Sequence, residues 1–409
     1  MYVAVMCGLS SLATTARADT FTTAYPVTEL HSVGAGNTAG SFVATAVMAL
    51  QGFSNTPAPP SWEGYFTDKC HNATLTPLWP SACDPGGMYI ALQDYTANYD
   101  WIREYWTETG QQDALNEMVS SLMDYHSPVM VPVYGQADHW LVVTQVTATK
   151  VGTNWNIGTV KVYDGGPTTG VDGSGTSYFA GTMMFSARAW LGTYFMLVTA
   201  INPSCDPVGC TSDPYYNTYV LVDEPPSGPR PPISTSFPPS PGVVPAGTMT
   251  AAVASASLWK SLSAAGIDGD AQVWNAIRGG TPGPALAVDA VFPSGAPWRY
   301  YLVPILANPT TAIGLAQLSM DDGGFQAIQV LPSAQPFTPI DATKARAAAT
   351  GLLAAGETLT GGGLRWDPRG TGRLAKSPTH PYYEFGIVHA GKSAGVVRIA
   401  LDGGAAVRE

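Results

Sequence analysis

Three short runs of β-branched and aromatic residues, placed one after another between residues 128 and 164, constrain this chain most. They read Pro128-Val-Met-Val-Pro-Val-Tyr134, Asp138-His139-Trp140-Leu-Val-Val-Thr-Gln-Val146 and Val160-Lys-Val-Tyr-Asp164. Clusters of Gly, Asn and Thr separate them, which is the signal for successive strands. His139 stands where the second run begins and Asp164 where the third ends. Adjacent antiparallel strands bring such ends side by side. A histidine beside an acid is what a general base and its orienter need.

The chain around these runs has 409 residues, 45% of them hydrophobic. That is enough for a substantial core and predicts two domains. Only 12% of residues are charged and the net charge is −11. Such a chain is a poor partner for nucleic acid or an anionic membrane surface. With 44 Gly and 34 Pro, it is expected to be rich in strands and turns rather than a helical bundle.

Residues 1–18 read as an export signal ending in the A-x-A-like Ala16-Arg17-Ala18. No later stretch is apolar for long enough to span a membrane. The expectation is a secreted protein, extracellular or periplasmic. Cysteine usage agrees: Cys70 with Cys83 and Cys205 with Cys210 are close pairs suited to disulfides in an exported chain. No Cys/His spacing matches a zinc site, so neither metal nor cofactor is expected. Asn72-Ala73-Thr74 has the form of a glycosylation acceptor.

Ser41 to Leu50 is a compact apolar run predicting a buried helix, with Ser41 as its N-cap after Gly40. Further helices are expected over Met88 to Tyr95 and Gln111 to Tyr125. Another strand pair is expected from Gly181 to Asn202, with Tyr194 to Ala200 the clearer strand, and a last strand from Tyr215 to Val222. Helices followed by an antiparallel sheet make an α+β domain over residues 19–223. Residues 224–246 carry Pro-Pro repeats and predict a semi-rigid linker. Residues 247–409 are expected to form a small α+β accessory domain. Its helices are read at Ala251 to Leu262 and Ala342 to Ala355. Its strands are read around Arg299 to Leu306, Phe325 to Val330, Leu364 to Pro368, Tyr382 to Val388 and Gly395 to Leu401. Residues 403–409 read as a tail. Asp321-Asp322-Gly323-Gly324 is a turn, too poor in oxygen ligands for calcium.

Roughly residues 25–200 resemble the papain-like cysteine peptidases, in the bacterial branch related to bacteriocin-processing peptidases. Ser41-Phe-Val-Ala-Thr-Ala-Val-Met-Ala-Leu50 falls on the family's Cys-Trp-Ala-Ala-x-Ala-x-Met-x-Leu helix. The three runs above fall on its strands. The resemblance implies a papain-like fold with Ser41, His139 and Asp164 in the places of nucleophile, base and orienter. It implies a peptide or protein as substrate or ligand and sets no oligomeric state.

The chain departs from the family at the nucleophile, which is Ser41 instead of Cys. Nor does the loop before it, Ser32 to Ala39, hold the family's oxyanion-hole Gln. A thiol next to an imidazole ionises readily, whereas a serine hydroxyl needs concerted proton removal and a complete oxyanion hole. Little or no peptidase activity is therefore expected. An active hydrolase using Ser41, a Cys-to-Ser engineered form and a non-catalytic peptide- or glycan-binding protein are the alternatives. Cys83 is a rival nucleophile. The aromatic clusters at Trp298 to Tyr301 and His380 to Phe385 read as core, or as a binding face if exposed together.

Overall fold

The computed structural model describes residues 18–22, 70, 84–95, 102–106, 110–133, 140–151, 154–164, 181–198, 215–223, 242–245, 247–291, 297–367, 378–404 and 406–408. Helices and a large, mostly antiparallel sheet agree with the α+β class.

The first part contributes β1 (Asp19–Thr22), a helix Pro85–Tyr95, β2 (Ile102–Trp106) and a helix Gln111–Asp124. These are followed by β3 (Val129–Pro132), β4 (Trp140–Val151), β5 (Asn154–Asp164), β6 (Gly181–Ser186) and β7 (Tyr219–Asp223). The second part contributes helices Ala251–Ala264, Ala271–Ile277 and Ala342–Thr350. Its strands are β8 (Thr281–Pro282), β9 (Leu286–Val291), β10 (Pro297–Asn308), β11 (Thr311–Ser319), β12 (Phe325–Pro336), β13 (Glu357–Trp366), β14 (Tyr382–His389), β15 (Lys392–Ala400) and β16 (Ala406–Arg408).

Among the described residues these strands make one sheet in the order β16-β15-β14-β13-β9-β10-β11-β12-β6-β5-β4-β3-β7-β2, with β1 beside β4 and β8 beside β10. The sheet continues across the Pro-rich stretch, because β6 pairs antiparallel with β12, Phe185 opposite Ala327 and Met183 opposite Gln329. Alternation then sorts side chains by face. One face carries Val143, Val162, Phe185, Ala327, Leu315 and Leu302 into a large buried cluster with Leu115, Met118 and Leu122 of the helix Gln111–Asp124. Val303, Ala316, Ile328 and Met184 belong to a second cluster with Leu258, Leu262, Val273 and Ile277 from the two helices 251–264 and 271–277.

Several expectations need correction. Tyr194 to Val198, the described portion of the stretch expected as the clearer strand, is not a strand. Ser186 caps a turn of helix at Ala187–Ala189, accepting from Ala189 N. The chain then widens into a π-turn at Trp190–Tyr194, closed by Phe195 N on Trp190 O at 2.7 Å. Aromatic packing accounts for it: Tyr194 lies 4.0 Å and Trp190 5.6 Å from Phe185, centroid to centroid. Tyr215 to Asn217 is a turn with Asn217 at φ 61°, so the strand expected from Tyr215 begins at Tyr219. The helix expected to reach Ala355 stops at Thr350, and Gly356 adopts φ +81° before β13. The expected tail holds β16, paired to β15. Asp321 to Gly324 forms the β11–β12 turn, with Gly323 at φ 69°.

Candidate functional site

β3, β4 and β5 are consecutive antiparallel neighbours, as their β-branched composition predicts. Val142 lies opposite Tyr163, so continuing the register by one residue sets Leu141 level with Asp164. Trp140, the residue after His139, opens β4, and Asp164 closes β5. The two strand ends thus stand together. Ser41 and His139 lie outside the described residues, as do Gln136, the predicted helix 41–50 and the cysteines other than Cys70. Cys70 is buried and disulfide-bonded.

Asp164 is buried on the face that holds the large core. Across that face the register brings polar side chains toward it from distant parts of the chain. Gly181 pairs with Asp164, Met183 with Gln329, Gln329 with Leu315, and Gln317 with Leu302. Gln317 and Gln329 are fully buried, as are Tyr194, Tyr300 and Thr379. Burial pushes the Tyr194 hydroxyl well above its usual range. The Gln317 side chain draws it partly back and the Asp164 carboxylate pushes it up again. Burial likewise raises Tyr300, with Tyr194 and Tyr382 adding to the effect. Tyr300 donates to Pro378 O at 2.5 Å, and Thr379 donates to Gln329 Oε1. None of these tyrosines is a base near neutral pH, and Tyr300 satisfies the Pro378 carbonyl inside the core.

Two open grooves lie elsewhere among the described residues. The first, about 460 Å³, runs over Thr20, Thr22, Gln145, Thr147, Thr159 and Lys161, walled by residues 269–272. Lys161 Nζ meets Asp270 Oδ2 at 3.0 Å and Gln272 Oε1 at 2.7 Å. Gln145 Nε2 donates to Asp270 Oδ2 at 3.2 Å. Burial favours the neutral Asp270 carboxyl, but the Val273 N–H, the Lys161 charge and the bonds from Lys161 and Gln145 outweigh it and lower the carboxyl below its usual range. The second groove, about 480 Å³, lies where β10, β9, β13 and β14 adjoin and is lined by Trp298, Arg299, Asp289, Gly363, Arg365 and Glu384. Both volumes are those of small-ligand sites.

The aromatic clusters of the second part are mainly core: Tyr300, Tyr301, Tyr382, Tyr383 and Phe385 are buried, and Trp298 packs against the large cluster. Sequence reading missed both grooves. Their residues are scattered along the chain and come together through strand register and, in the first groove, the packing of the helix Ala271–Ile277. Among the described residues no group of three or more His, Cys, Asp or Glu could hold a metal ion, and no helix is long and apolar enough to cross a membrane. No known family model, curated protein or solved structure matches the chain.

Proposed function

We propose that this is a secreted, papain-like cysteine-peptidase-related protein with little or no peptidase activity, acting on or binding a peptide or protein. The observation that carries it is the β4–β5 register, which joins the strand opening after His139 to the strand closing at Asp164. A buried acid at that end suits an orienter, since such acids are commonly enclosed. Ser41, where the resemblance places a Cys nucleophile, is the reason for low activity. The reading includes domains at 19–223 and 247–409, a linker at 224–246, and disulfides Cys70–Cys83 and Cys205–Cys210.

The Ser41→Cys variant tests it. A thiol-directed peptidase inhibitor should label Cys at position 41, and His139→Ala in that background should slow labelling at least about tenfold. Labelling no faster than that of an exposed control cysteine, or unaffected by His139→Ala, overturns the assignment.

A second reading, a non-catalytic peptide- or glycan-binding protein, is favoured by the groove over β9, β10, β13 and β14, which gathers charged side chains.

A further inference from the structure

Strand register builds a row of alternating charges on the sheet face opposite the large core. Arg299 faces Asp289 across β10–β9, and Asp289 faces Arg365 across β9–β13. Arg365 Nη1 meets Glu384 Oε1 at 2.6 Å, and Arg398 Nε meets Glu384 Oε2 at 2.9 Å. The row runs cation, anion, cation, anion, cation on a chain whose net charge is −11. Arg398 is buried and stacks over Tyr382, which leaves Arg299 and Arg365 as the groove's cations.

Neither guanidinium is used up. Arg299 reaches Asp289 through Nε at 2.7 Å while its side chain stays 60% exposed. Arg365 bonds Glu384 through Nη1 while its side chain stays 41% exposed. A guanidinium matches a carboxylate fork to fork. Asp289, whose side chain is 65% exposed, offers acceptors to hydroxyl donors beside it. Space is provided by Gly361-Gly362-Gly363: a register shift falls between Thr360 and Gly363, and a Cβ at Gly361 or Gly363 would meet nothing within 4 Å.

We propose that this groove binds a carboxylate-bearing sugar of the uronic acid type. The inference rests on the binding reading above and names its ligand class. Donors and acceptors alternating along the row suit a ring carrying both hydroxyls and a carboxylate. An extended acidic peptide is disfavoured because β13 already pairs with β14 on one side and, at Arg365 and Trp366, with β9 on the other, which leaves a peptide no strand to extend beside the groove.

Calorimetric titration of the full chain with glucuronate, with glucose and with a short Glu-rich peptide tests the proposal. Glucuronate is expected to bind, glucose at least about tenfold more weakly, and added salt should weaken glucuronate. Arg299→Gln should weaken glucuronate about tenfold or more. Gly363→Leu, which fills the groove without altering a charge, should abolish it. Equal binding of glucose and glucuronate, or binding unchanged in both variants, overturns the carboxylate assignment and leaves the binding reading standing. Binding of the peptide alone overturns the sugar and again leaves that reading. If none of the three binds, both fall.

Discussion

Lys161–Asp270 and Arg299–Asp289 are both cation–aspartate pairs, at 3.0 and 2.7 Å, yet they sit in opposite surroundings. The Lys161 and Asp270 side chains are 8% and 9% exposed, and two glutamines and the Val273 N–H complete their shell. The Arg299 and Asp289 side chains are 60% and 65% exposed. Shortness therefore does not rank them; burial does. The first pair bridges segments from either side of the Pro-rich stretch, near where β6 joins β12. There, removing one charge strands the other. The second pair is solvated, and its partners remain available to a ligand.

The largest expected effect is at the buried pair. Lys161→Met leaves Asp270 without its ammonium and should lower stability by about 3 kcal/mol in denaturant unfolding at neutral pH. Adding Asp270→Asn should restore part of that loss, and no restoration would show that the pair is not coupled. Asp270 is held below the ordinary carboxyl value of 3.8. The contribution is thus fully present above that value and is lost as pH falls through the lowered one. The Lys161→Met deficit should shrink in the same acid range.

His380 gives the next effect. Burial lowers it from 6.5 to about 4, with Asp402 opposing. The folded protein keeps it neutral where the unfolded chain would protonate it. Its contribution is therefore full above pH 6.5, declines as pH drops toward 4 and is then lost, a change of roughly 3 kcal/mol. His380→Gln should flatten stability between pH 6.5 and 4. An unchanged slope would place the titration elsewhere.

These two sites also mark how far the sequence could be read. β3, β4 and β5 were legible because closely spaced valines with few helix formers between them leave few alternatives, and Asp164 was legible because it ends one such stretch. β11 was not. Gly314 and two alanines dilute its β-branched content, and the glycine is there for packing: a Cβ would come within 3.2 Å of both Gln329 O and Ile277 Cγ2. Tyr194 and Phe195 open a stretch read as a strand from composition, but ring packing of Tyr194 on Phe185 and of Phe195 on Trp190 coils it instead. The charge row was illegible for another reason. Asp289, Arg299, Arg365, Glu384 and Arg398 are far apart in sequence, and only pairings such as β13 with β9 align them.

The smallest expected effect separates the two kinds of pair. Arg299→Gln removes a charge at an exposed pair whose Coulomb energy is screened by water and salt, so stability should change by no more than about 0.5 kcal/mol. Asp289, left behind, is already solvated and needs no other partner. The same substitution should nevertheless weaken glucuronate about tenfold, because a ligand carboxylate loses its fork while the fold loses almost nothing. A variant that unfolds at the wild-type denaturant midpoint but fails to bind assigns Arg299 to the ligand. A drop in stability comparable with that of Lys161→Met would instead make the charge row part of the scaffold, and exposure would no longer distinguish the two pairs.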